Sequence, residues 1–152
     1  MIADLCGRYL EEVLAAGLTV VKISHEELIK DGLATDGSTH ELMNALVKLN
    51  SDGAEAALVS RADEGALALV DNEIYSVTLP RLTAAEHRGA GDSMTAGVAA
   101  TLAHGGSMTE AVCTGAAAGA LNVTRHGLGT GHVDAVRVLT ERVRLTPIRK
   151  AS

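Results

Sequence analysis

The sequence predicts an α/β fold, a mostly parallel sheet flanked by helices, and three observations predict it. Short apolar runs recur early in the chain, as in Leu18 to Ile23 (LTVVKI) and Ala56 to Ser60 (AALVS). Segments of helical spacing stand between them, long enough to serve as the crossovers that parallel strands need. From Gly89 onward the chain turns Gly- and Ala-rich, a composition suited to helices packed at close range. A length of 152 residues fits one domain with a real core.

Each element has a local reason. Met1 to Cys6 reads as a strand. Arg8 to Ala16 places Leu10, Val13 and Leu14 on one helical face and stops at Gly17. Leu18 to Ile23 is a β-branched run fit for a buried strand. Ser24 caps the helix that follows, with Glu27 three residues on as the partner of a capping box. A second helix, Ser38 to Asn50, ends at Ser51-Asp52-Gly53, and Ala56 to Ser60 is the next strand. The Asp71-Asn72 turn separates two more, Ala66 to Val70 and Ile74 to Leu79. Gly105-Gly106 breaks the Ala-rich region into two helices, the second running from Ser107 to Thr124. A Gly-rich loop, His126 to Gly131, leads to a last amphipathic helix, Val133 to Val143, followed by a solvated basic end at Arg142, Arg144, Arg149 and Lys150.

Composition excludes several classes of function. Hydrophobic residues make up 47% and charged residues 21%, which argues against a disordered tail or a disulfide miniprotein. Thirteen basic against nineteen acidic residues leaves a net charge of −6, so wholesale nucleic-acid binding is not expected. Cys6 and Cys113 lie far apart and read as free thiols in a reducing compartment. No signal peptide pattern opens the chain. Its longest uncharged stretch, Ser93 to Thr109, is too polar for a membrane span, so a cytoplasmic protein without membrane contact is expected. Phe and Trp are absent and only Tyr9 and Tyr75 are aromatic, which speaks against ligand recognition by stacking between rings.

The sharpest motif is Arg88-Gly89-Ala90-Gly91-Asp92-Ser93, at the start of a helix. Glycines let the backbone approach a ligand, and the first-turn N–H groups point outward at the positive end of the helix dipole. Such amides stabilise a phosphoryl group gaining charge during transfer, and an Asp in the same turn can take a proton from an attacking hydroxyl. The plainer alternative is a helix cap and a tight turn. Other motifs fail sooner. No G-x-x-x-x-G-K-[ST] loop is present, and Met94 stands where G-x-G-x-x-G needs its third glycine. The six His show no metal-ligand clustering. Gly115-x-x-x-Gly119 suits close helix packing, and Glu26 beside Glu27 faces water rather than forming a working carboxylate pair.

The stretch from Arg88 to Gly131 (RGAGDSMTAGVAATLAHGGSMTEAVCTGAAAGALNVTRHGLGTG) resembles the closing half of the ribokinase/PfkB-type carbohydrate kinases, marked by DTxGAGD before an Ala/Gly-rich helix pair. VKISHEELI at Val21 to Ile29 is similar to the family's VKPNxxEL segment, and SRADEGAL at Ser60 to Leu67 to its (S/T)xGxxG nucleotide loop. The phosphofructokinase branch is the nearest likeness. The resemblance implies a ribokinase-like fold and transfer of phosphate from ATP, with Mg²⁺, to a sugar or sugar-phosphate hydroxyl. It makes Asp92 the catalytic base and the backbone of Gly89, Ala90 and Gly91 the anion hole. Glu27 falls at a residue implicated in organising the metal, and Lys22 at one facing the nucleotide phosphates. Ser60 and Gly65 bound the nucleotide loop, while Ala116 and Ala120 match the lining of the adenine pocket.

Departures accompany the match. Ser24 replaces the Asn of N-x-x-E, Ala62 the middle glycine of the nucleotide loop, and Glu86-His87 the Asp-Thr pair before GAGD. The resemblance covers only the C-terminal half of the family fold. It therefore implies one partial domain over residues 1–152, a truncated form lacking the N-terminal half and lid, with impaired or no activity alone. The alternative is a non-catalytic remnant that binds nucleotide or pairs with another chain through its sheet edge. In either case the uncovered sheet edge implies self-association or pairing with a missing N-terminal half.

Overall fold

A computed structural model describes residues 1–79, 82–83, 88–124, 126, 129 and 131–148. Glu86, His87, Arg149 and Lys150 lie outside these, as does part of the loop between His126 and Gly131. Six strands form one sheet in the order β1-β2-β3-β4-β5-β6, which is also chain order. They are β1 (Ile2–Asp4), β2 (Leu18–Ser24), β3 (Ala54–Ser60), β4 (Ala66–Val70), β5 (Glu73–Thr78) and β6 (Arg144–Pro147). The helices are α1 (Arg8–Ala15), α2 (His25–Lys30), α3 (Thr39–Ser51), α4 (Ala90–Ala103), α5 (Met108–Val123) and α6 (Val133–Thr140). The chain divides into two compact units, Met1–Ser76 with the described residues from Thr146 on, and Val77–Leu145.

In the first unit, β1, β2 and β3 run parallel, with Ile2 beside Val20 and Val20 beside Ala56. β4 returns antiparallel to β3, Ser60 opposite Ala66, so the sheet is mixed. The reversal comes from the short Arg61–Gly65 connection, which leaves no room for a crossover helix. Asp71 and Asn72 both take positive φ, 50° and 65°, in the two-residue turn between β4 and β5. Asx side chains tolerate that conformation well, and it matches the strand twist of a hairpin. Leu10 and Leu14 of α1, Leu28 of α2 and Leu42, Leu46 and Leu49 of α3 close over Val21, Ile23, Ala57 and Val59 in one apolar core. Gly53 turns the chain from α3 into β3 at φ +129°, where an added Cβ would sit 2.1 Å from the Leu14 carbonyl oxygen. Only glycine fits there.

In the second unit α4 and α5 form a pair built on small residues. A Cβ on Gly97 would lie 2.9 Å from the Gly115 Cα, and one on Gly115 would lie 2.8 Å from the Met94 carbonyl oxygen. The Gly115-x-x-x-Gly119 spacing thus serves close helix packing. Ser107 caps α5 in a capping box with Glu110. Two expectations at the C-terminal end need correction. Helix α6 ends at Thr140, short of Val143, and Arg144, though exposed as expected, lies in strand β6. The strand forms because Ile148 N–H donates to the Ile74 carbonyl (2.7 Å), a pairing that no local pattern announces. Cys6 and Cys113 are free thiols, and burial pushes the Cys113 thiol up from its usual pKa. Among the described residues no helix is long and apolar enough to cross a membrane.

Candidate functional site

The sequence-predicted site residues fall into two sets, one on each unit. In the second unit, Gly89 is the N-cap of α4 and adopts the left-handed conformation, φ +78° and ψ 4°. Glycine populates that region without the Cβ penalty, so the motif's first glycine has a backbone reason. Ala90, Gly91 and Asp92 are the first three helical residues, and the ladder begins only with Ser93 N–H donating to the Gly89 carbonyl (2.9 Å). A helix leaves its first amides without intrahelical partners, and Gly89 has no side chain with which to cap them. Asp92 is exposed and, with Gly89, Ser93, Ala96 and Gly129, lines a cleft of about 180 Å³. The positive end of the helix, at Gly89, and the exposed Asp92 therefore share one concave site. An anion is stabilised by the first, and a hydroxyl proton can be taken by the second.

Two further sequence-predicted residues lie on α5, one turn apart. Ala116 is buried at 1% exposure and Ala120 is half-buried. One residue of this unit escaped the sequence reading. Asn122 is buried, at 2% exposure, and its Nδ2 donates to the Arg88 carbonyl (2.7 Å), on the residue preceding the N-cap. The available signal was an isolated amide seven residues after Gly115, on a helix face otherwise made of glycine and alanine.

In the first unit the predicted residues gather at the carboxyl ends of β1, β2 and β3, where open α/β sheets bind ligands. Lys22 is 6% exposed and its Nζ pairs with Asp4 at 3.1 and 3.3 Å. The two are register partners across β1 and β2, so the parallel pairing itself creates the ion pair. Asp4 was missed because it becomes Lys22's neighbour only once that register is fixed. Glu27 completes the expected capping box: its Oε2 accepts from the Ser24 N–H (2.8 Å) and hydroxyl (2.7 Å), while its own N–H donates to Ser24 Oγ (3.2 Å). Burial pushes the Glu27 carboxyl up, but the two Ser24 hydrogen bonds and the Lys22 and Lys30 charges outweigh it and hold the pKa below the usual value. The group is thus an anion at neutral pH, with Oε1 outside the capping bonds.

Ser60 ends β3 opposite Ser24, and its carbonyl lies 3.3 Å from His25 Nδ1. The loop after it is held by Arg61 N–H donating to the Gly65 carbonyl (2.8 Å), with Gly65 at φ +80°. Ala62, which stands where the resembled motif has glycine, is itself at φ +48°. The loop keeps a glycine-like conformation with a residue that is strained by it. Among the described residues no three His, Cys, Asp or Glu cluster as a metal cage. A magnesium ion needs none, since it keeps water and phosphate ligands and takes only one or two carboxylates. An ionised Glu27 with one uncommitted oxygen fits that demand.

Known proteins resemble this chain over most of its length. The family model described as pfkB family carbohydrate kinase matches residues 5–135. A tagatose-6-phosphate kinase of Staphylococcus epidermidis is 32% identical over 136 residues, 88% of this chain and 43% of that protein. A 1-phosphofructokinase of Bacillus subtilis is 28% identical over 130 residues, 86% of this chain and 43% of its own length. Among solved structures, phosphofructokinase-2 from Escherichia coli in complex with potassium superposes with a TM-score of 0.80 at 27% identity, covering 92% of this chain and 46% of that one. The chain spans less than half the length of each of these proteins.

Proposed function

The chain belongs to the pfkB family of carbohydrate kinases, and from that premise we propose that it supplies the phosphoryl-transfer half of a sugar-phosphate kinase of the phosphofructokinase type. One observation carries the reading: the N-terminal turn of α4, entered at Gly89, and the exposed Asp92 border the same cleft. The carboxylate takes the proton of the acceptor hydroxyl as its oxygen bonds to the γ-phosphorus of ATP. The bond from that phosphorus to the bridging oxygen breaks, and ADP leaves with the electron pair. Negative charge on the transferring phosphoryl oxygens meets the amides of Gly89, Ala90 and Gly91, fixed before the reaction begins and thus free of reorganisation cost. Lys22, Ser60 and Gly65 are assigned to the nucleotide, and Ala116 and Ala120 to the base. Magnesium, when bound, neutralises the phosphate charge, and Glu27 is the residue that would help hold it.

Tagatose 6-phosphate and fructose phosphates are the acceptors that the relatives' names suggest. A second reading is favoured by the chain's spanning only 43% to 46% of these proteins: nucleotide binding without turnover. ADP release by the 152-residue chain, supplied with MgATP and each sugar phosphate, separates the two. Catalysis predicts turnover that Asp92→Asn lowers by about 10²- to 10⁴-fold with little change in ATP affinity. Turnover that survives Asp92→Asn refutes the assignment of the base. An ATP-induced rise in melting midpoint without ADP release selects the second reading, and neither response refutes both.

A further inference from the structure

The site proposed above depends on the turn that opens α4, and a residue outside the motif governs that turn. Asn122 sits 2% exposed on α5, donates from Nδ2 to the Arg88 carbonyl at 2.7 Å, and leaves its Oδ1 buried with no partner. A buried amide with half of its hydrogen-bonding capacity unmet is costly, so packing alone is a poor reason for its presence. The neighbouring positions on the same face show what packing asks for. Gly115 fits against the Met94 carbonyl, where a Cβ would lie at 2.8 Å, and Gly119 against the Ala90 carbonyl, where it would lie at 2.9 Å. Residues 115, 119 and 122 thus form one stripe on α5 that descends α4 toward its start. The first two admit backbone. The third reaches past the helix and takes hold of the carbonyl before the N-cap.

That carbonyl belongs to the peptide joining Arg88 to Gly89. Fixing its oxygen fixes the plane of the peptide, and with it the Gly89 N–H and the entry into the left-handed N-cap at φ +78°. We infer that Asn122 is a positioning residue for the anion hole: through the Arg88 carbonyl it sets the direction in which the first amides of α4 face the cleft. The inference rests on the phosphoryl-site reading for its purpose, while the bond and its effect on the turn stand apart from any ligand.

The test uses the ¹⁵N-labelled 152-residue chain without ligand, comparing wild type with Asn122→Asp, Asn122→Ser and Asn122→Ala. Asn122→Asp keeps the shape but turns an acceptor toward the Arg88 carbonyl. The Gly89 and Gly91 amide resonances should then move, in protein that still melts cooperatively. Acidification protonates the introduced carboxyl, supplies an O–H donor, and should return both resonances toward wild type. Asn122→Ser, which retains a donor on a shorter arm, should fall between wild type and Asn122→Ala. Lost packing alone would lower the midpoint without this order or this pH dependence. Folded Asn122→Asp or Asn122→Ala protein with unchanged Gly89 and Gly91 resonances overturns the inference. Titration with inorganic phosphate then separates the two readings. Wild type that binds, with about tenfold weaker binding in Asn122→Asp, supports both. Wild type that does not bind removes the phosphoryl reading and leaves the amide resonances to decide the role of Asn122.

Discussion

Gly97→Ala measures how tightly α4 and α5 are joined. The new Cβ would lie 2.9 Å from the Gly115 Cα, 3.0 Å from the Thr114 carbonyl oxygen and 3.1 Å from the Gly115 N. All three are backbone atoms of a facing helix, so no side chain can swing away to relieve the overlap. Two terms oppose one another. Alanine within a helix gains about 1 kcal/mol over glycine. Overpacking a tight interior costs about 1–3 kcal/mol, and an obstacle made wholly of backbone belongs at the upper end. The net loss is about 1–2 kcal/mol, which lowers the melting midpoint of a chain this size by about 2–8 °C. Circular dichroism melts of Gly97→Ala and of Ala100→Gly, at an exposed position of the same helix, give the two terms separately. Ala100→Gly should lose about 1 kcal/mol from propensity alone. A Gly97→Ala protein as stable as wild type, or more stable, would mean that the helices are not in backbone contact and that glycine is there for another reason.

Four other substitutions test the first unit. Glu27→Ala should destabilise by about 1 kcal/mol at neutral pH through loss of the capping box. Because the folded pKa of Glu27 is depressed, its electrostatic share is present above the usual value of 4.5 and is lost as pH falls through the folded pKa, so urea midpoints of wild type and variant should converge on acidification. Ala62→Gly should raise the urea midpoint, because relief of a left-handed alanine (φ +48°), about 1–2 kcal/mol, exceeds the added entropy of the unfolded chain, about 0.4–1 kcal/mol. A lowered midpoint would show that Ala62 is not strained. Asp4→Ala should destabilise more than Lys22→Met, because it removes the direct partner of a Lys22 side chain that is 7% exposed, whereas Asp4 is 26% exposed to water. If Lys22 faces the nucleotide, Lys22→Met also weakens ATP binding, and equilibrium titration checks both halves of the prediction.

How much of this was legible in the sequence follows from how local each cause is. Ser24 and Glu27 are three residues apart and satisfy each other, so their capping box could be read directly and is present. Asp71-Asn72 announces its turn by residue type alone, and both residues take positive φ. The β6 strand Arg144–Pro147 contains an arginine and a proline, has no apolar alternation, and exists only because β5 offers an edge to pair with. Nothing local could distinguish it from a loop. The antiparallel return of β4 was likewise hidden, since direction is set by the Arg61–Gly65 connection and not by the composition of either strand.

The candidate site divides along the same line. Gly89, Gly91 and Asp92 are neighbours in sequence, and a helix start with its own dipole is a local object, so the carboxylate and the open amides could be found before any fold was known. The partners that hold such groups are distant in the chain: Asp4 is eighteen residues from Lys22, and Asn122 is thirty-four from Arg88. Each becomes a neighbour through a register, of β1 on β2 or of α5 on α4, that only the packed structure fixes. A family motif therefore marks where chemistry is done, whereas the residues that aim it are scattered wherever the register brings them. In this chain the glycine stripe of α5 is the readable trace of that register: Gly115 and Gly119 state how closely the helices approach, and the next position on the stripe is where a polar side chain first reaches the turn before α4.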